Sequence, residues 1–111
     1  MRAPGLALAA LALLSCGSPR RGEPVAPPPR LGAEAQRGEA AFMAWCNECH
    51  PRGEAGLGPA LNNKPMPGPL IAWQVRHGLG AMPAFPEETL PEPELAALVA
   101  YLKALRAGPA P

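Results

Sequence analysis

No stretch of this chain alternates apolar and polar residues for long enough to read as a β-strand, which excludes sheet-based architectures. Long apolar runs are missing too. The longest, residues 6–14, falls far short of the roughly 20 residues that cross a bilayer. Residues 31–107 hold six Lys and Arg against eight Glu, a net of −2, so no basic face for nucleic acid is present. The overall +1 comes from arginines nearer the N-terminus, and docking through a large positive ring is therefore unsupported. No nucleophile, general acid–base pair or open metal position is visible, so the chain is not read as an enzyme by itself. No internal repeat is found.

What the chain does contain is Pro and Gly. Seventeen Pro and twelve Gly make about a quarter of its 111 residues resistant to regular structure. One small domain is the most this length allows. Such a domain buries too little surface for comfortable stability and usually needs a staple, a metal or a cofactor. That need implies that something besides side chains fills the core.

The two ends differ. Residues 1–15 read as a secretory signal, with Arg2 ahead of the apolar run. Leu13-Leu14-Ser15-Cys16 resembles the bacterial lipoprotein box, which implies cleavage before Cys16 and lipid on its sulfur. An ordinary signal peptide or an uncleaved anchor is the competing reading. Cysteine arithmetic favours lipidation, because the other two of the three cysteines have a use below. Residues 16–30 then form a linker. Pro19, Pro24, Pro27, Pro28 and Pro29 favour an extended chain rising about 3 Å per residue, a reach of some 40 Å at most. Residues 31–107 form the domain, and 108–111 a short tail. The expected location is extracytoplasmic, on a membrane held through lipid on Cys16.

Three segments carry helical periodicity. Over 33–45, Gly38, Ala41, Phe42 and Trp45 share a face. Over about 70–77, Ile71 and Val75 lie four apart, with Gly78 as a stop. Over 92–105, Leu95, Leu98, Val99, Leu102 and Leu105 make an apolar stripe. Pro91 and Pro93 fit only its first turn, Thr89 or a neighbour is the expected cap, and Gly108 the terminator. Between the first two segments, residues 51–69 contain five Pro and four Gly. So long an irregular loop is normally functional or wrapped around something, and a flat apolar cofactor would supply the missing core. Trp45, Phe42, Trp73, Phe85 and Tyr101 read as core or cofactor-contacting groups.

Cys46-Asn47-Glu48-Cys49-His50 carries the chemistry. Two thiols three residues apart on one helical turn can each add to a vinyl group on one porphyrin edge. His50, next in line, then projects its imidazole under the iron. Cys-x-x-Cys-His is the signature of c-type haem attachment, so Cys46 and Cys49 are the expected covalent sites of one haem c and His50 an iron ligand. Three other readings compete. A structural zinc site needs four ligands, and only His77 remains to complete one. A thioredoxin-like pair is suggested by Trp45 ahead of Cys46, but belongs to a βαβ context. A plain disulfide is the third.

From about residue 31 to 105 the chain resembles class I cytochrome c of the small bacterial His/Met type. Gly38 and Phe42 match its first helix, and Cys46 to His50 its attachment site. Gly58-Pro59-Ala60-Leu61 resembles the loop whose Pro carbonyl bonds the proximal imidazole. Gly78-Leu79-Gly80-Ala81-Met82-Pro83-Ala84-Phe85 resembles the distal-ligand loop, and Leu98-Val99-Ala100-Tyr101-Leu102 the last helix, which crosses the first at Gly38. The resemblance implies an all-α cytochrome c-like fold, about three main helices with long loops around one covalent haem.

It also implies Met82 as the second iron ligand; a soft thioether raises the reduction potential. Met66, which also precedes a Pro, and His77 are the rivals, while Met43 is too close to Cys46 on the same helix. Asn62, Asn63, Lys64, Arg76 and Trp73 are candidate neighbours of the haem propionates.

The function this implies is single-electron transfer, by a monomeric carrier serving redox proteins such as a terminal oxidase or a dehydrogenase. The alternative is a permanent haem subunit of a larger membrane-associated oxidoreductase. A haem sensor or peroxide-handling protein, with a labile sixth position, is a further class.

Overall fold

The computed structural model describes residues 30–107. Three α-helices follow one another: α1 (Ala33–Trp45), α2 (Gly68–His77) and α3 (Glu92–Ala107), with a short 3-10 turn at Pro51–Gly53. Among the described residues the only bridge of β type is the isolated pair Leu79 and Met82. The all-α expectation holds. The signal, Cys16, most of the linker, Gly108 and the tail lie outside the described residues.

Helix α1 spans the expected residues. Gly32 precedes it in extended conformation, and its carbonyl accepts the Gln36 N–H. Ala35, Gly38 and Phe42 are its buried face. Helix α3 buries Leu95, Ala97, Leu98, Tyr101 and Leu102. The two helices cross at Gly38, where a Cβ would stand 1.9 Å from the Ala97 carbonyl oxygen. No residue but glycine fits that crossing as it stands. Beside it the rings of Phe42 and Tyr101 pack 5.2 Å apart at 55°, a favourable tilted geometry.

Helix α2 begins at Gly68, two residues before the expected start. Extended Pro67 precedes it and Pro69 falls in the first turn, where a missing N–H costs nothing. It ends as expected at Gly78, whose φ of 71° lies in the left-handed region. Its buried face is Gly68, Ile71 and Val75. Helix α3 starts after Pro91, whose carbonyl takes the N–H groups of Glu94 and Leu95. Thr89 instead closes a turn on Pro86.

Phe42, Ile71, Val75, Phe85, Leu90, Leu95, Leu98, Tyr101 and Leu102 form one apolar cluster, with Cys46, Leu61, Met66 and Met82 packed against it. Two of the five aromatics read as core or cofactor-contacting groups stand outside it. Trp73 is 55% exposed, on the face of α2 opposite Ile71 and Val75, and stacks on His77 at 4.3 Å. Trp45 is half-exposed and touches the cluster only by an edge contact to Phe85.

Candidate functional site

The Cys46 to His50 segment continues the end of α1 as a turn. Cys46 and Asn47 donate their N–H groups to the Phe42 carbonyl, and Cys49 and His50 donate theirs to Cys46. Both cysteines are partly exposed and are not joined to each other. Burial pushes the Cys46 thiol up to about 11, with a smaller contribution from Cys49 beside it. A reactive redox pair needs the opposite, a thiol pKa pulled below the ordinary value. The thioredoxin-like reading is thereby disfavoured on chemistry as well as on the lack of a βαβ unit. Among the described residues no three His, Cys, Asp or Glu converge in a metal cluster, so the zinc reading finds no ligand set.

His50 is 8% exposed. Its Nδ1 lies 2.8 Å from the Pro59 carbonyl oxygen. A carbonyl can only accept, so Nδ1 carries the proton and donates, which leaves the Nε2 lone pair available to a metal. Gly58 permits this arrangement: a Cβ there would stand 2.2 Å from His50 Cε1. The 51–69 loop is built around that ring. Gly58 N–H bonds the Cys49 carbonyl, and Leu61 and Asn62 both bond Gly53. Arg52, at a left-handed φ of 54°, turns the chain; its N–H is taken by Asn47 Oδ1. A tautomer fixed in this way, a glycine cradle against the imidazole and two thiols at one helix end fit a covalently attached haem.

Met82 sits in a tight turn. Leu79 and Met82 exchange both backbone hydrogen bonds at 3.0 Å, and Gly80 turns the corner at φ 57°. A Cβ on Gly78 would meet the Met82 carbonyl oxygen at 2.5 Å. Met82 packs on the same apolar cluster as Cys46. Of the rivals, Met66 packs on this cluster too, while His77 and Met43 are exposed. His77 engages its Nδ1 with the Trp73 carbonyl at 2.7 Å and stacks on that indole at the surface. Met66 has its carbonyl held by Arg106 at 2.7 Å. Met43 is exposed on α1.

The candidate propionate neighbours separate. Asn62, Asn63 and Lys64 line a cleft of about 740 Å³ with Met66, Lys103 and Arg106. Arg76 and Trp73 do not line it. Arg76 is committed to Phe85, Leu90 and Glu92, contacts that no local pattern in the sequence announced.

Among the described residues, three helices without a strand, and this His–Pro pair beside a Cys-x-x-Cys turn, define a class I c-type cytochrome with covalent haem c. The chain belongs to the family described as cytochrome c oxidase, cbb3-type, subunit III, which matches residues 33–102. Among curated proteins it is similar to the cytochrome c subunit of 4-cresol dehydrogenase [hydroxylating] from Pseudomonas putida. The two are 39% identical over 70 residues, 63% of this chain and 61% of that subunit. The chain thus aligns with less than two thirds of that relative's length. No solved structure matches the chain significantly.

Proposed function

We propose that the chain is a monohaem electron carrier on the outer side of a membrane, with its haem joined through Cys46 and Cys49 and its iron held between His50 and Met82. The observation that carries the reading is the 2.8 Å hydrogen bond from His50 to Pro59. It orients the imidazole and assigns Nδ1 as the donating nitrogen, so that Nε2 is the one turned to a ligand role, as a metal-bound histidine requires. When bound, the haem supplies a one-electron ferric–ferrous couple. The chain's residues do the rest. Cys46 and Cys49 fix the position of the group, and the cluster around Phe42, Val75 and Leu98 keeps water away. The Leu79–Met82 turn holds a soft thioether in one place, so little has to rearrange when the charge changes.

Met82→Ala tests the ligand set. The variant is expected to lose the near-infrared sulfur-to-iron band and to show a lower reduction potential, because a thioether favours the ferrous state. An unchanged spectrum would reject Met82.

A second reading has its own support. The similar Pseudomonas putida protein is, by its name, a subunit of a dehydrogenase, and the family is described as an oxidase subunit. A stable stoichiometric complex surviving high salt in gentle detergent would favour a permanent haem subunit over a carrier that visits its partners. Lipid on Cys16, export by residues 1–15 and a monomeric state belong to the same proposal, supported by the Leu13-Leu14-Ser15-Cys16 pattern. Among the described residues no helix is long and apolar enough to cross a membrane.

A further inference from the structure

Arg76 lies in the last turn of α2, where a cation ordinarily faces solvent and the helix dipole. Here its side chain is only 20% exposed and turned inward. Nη1 donates to the Phe85 carbonyl at 3.0 Å and to the Leu90 carbonyl at 2.6 Å, while Nη2 meets the Glu92 carboxylate at 3.0 Å. One guanidinium therefore joins both ends of the segment that runs from the Met82 turn to the start of α3. Phe85 is held twice, because its own N–H bonds the Val75 carbonyl at 2.9 Å. Only Pro83 and Ala84 separate this fixed point from Met82. On its other side Met82 is fixed by the reciprocal bonds to Leu79.

We propose that Arg76 is a positioning residue for the distal ligand: by tying Phe85 and Leu90 to α2 it keeps the Met82 thioether at the iron. The inference rests on Met82 being that ligand. The fork geometry matters. A planar guanidinium bonds two carbonyls and a carboxylate at once, which a lysine ammonium on a flexible stem does not reproduce. Without Arg76 the Phe85 and Leu90 carbonyls lose their shared donor. Apart from apolar packing, the segment after Met82 is then tied to α2, among the described residues, by the Phe85–Val75 hydrogen bond.

The test uses the haem-loaded protein and exogenous imidazole as a competitor for the sixth position of ferric iron, read by loss of the sulfur-to-iron band. Arg76→Gln is expected to retain helical circular dichroism and the His50-ligated haem. Imidazole should displace the thioether at about tenfold lower concentration, the equivalent of one charge-assisted hydrogen bond. Arg76→Lys should fall between it and the wild type. An Ala35→Gly control, which weakens the first helix at a buried position outside the apolar cluster, separates general loosening from positioning. Equal imidazole sensitivity in Arg76→Gln and wild type would overturn the proposal. So would an equal gain in the Ala35→Gly control at matched melting temperature. A wild type that lacks the band would instead remove the Met82 reading, and this inference with it. Should Arg76→Gln not assemble, the Arg76→Lys arm decides: wild-type sensitivity overturns the proposal, and increased sensitivity supports it.

Discussion

At the scale of single residues, burial sets the chemistry. His50 and Cys46 are shaped by what surrounds them, one by an acceptor and one by the loss of water. Tyr101, the one tyrosine of the chain, behaves in the same way. Burial raises its pKa above the ordinary 10, and the nearby Glu39 carboxylate raises it further. A raised folded-state pKa favours the neutral phenol in the fold. The contribution to stability is therefore complete below pH 10 and is lost as pH climbs through the raised value. Absorbance titration of the native protein should place Tyr101 ionisation above 10, and resistance to denaturant should decline over the same window. Ionisation at the ordinary value would show that the ring is open to water.

At the scale of elements, the decisive contact is the crossing of α1 and α3. Alanine in place of a helical glycine ordinarily stabilises by roughly 1 kcal/mol. At Gly38 the added Cβ would collide with the Ala97 carbonyl, and overpacking against a backbone that cannot swing aside costs about 1–3 kcal/mol. Gly38→Ala should therefore lower the melting temperature; a raised one would mean that the helices slide apart freely. Much of this was legible beforehand. The 33–45 helix, the stripe on α3 and the close approach at Gly38 follow from periodicity and from the family resemblance. Helix α2 starts two residues ahead of the periodic apolar pattern, because Gly68 and Pro69 add no apolar face and a Pro is tolerated in a first turn. Trp73 stands outside the apolar cluster because α2 carries apolar groups on two faces, Ile71 and Val75 on one, Leu70 and Trp73 on the other. Hydropathy alone does not say which face meets α3. The sequence offers Arg76 only as a propionate neighbour, because its partners in the fold lie nine to sixteen residues ahead, beyond any local signal.

At the scale of the whole molecule, a domain with so small a core is joined to a Pro-rich segment that ends in Cys16. If that sulfur carries lipid, Cys16→Ser should release the cytochrome from the membrane fraction while leaving its haem spectrum unaltered. Retention of the variant in membranes would locate the attachment elsewhere. The attachment motif itself was fully legible, because the porphyrin edge dictates the spacing of Cys46, Cys49 and His50. The distal side was legible only by resemblance, since a Met before a Pro occurs twice in the chain.

That asymmetry has a consequence in time. The bond from His50 to Pro59 closes a loop of nine residues, so the imidazole side is assembled from one short stretch of chain. The Met82 side depends on α2 and on the return of α3 through the Arg76 contacts. Closing a short loop costs less chain entropy than a long-range contact. With Met82 as the distal ligand, the two sides of the haem keep different clocks: one is set by a short stretch of chain, the other by the return of a distant one.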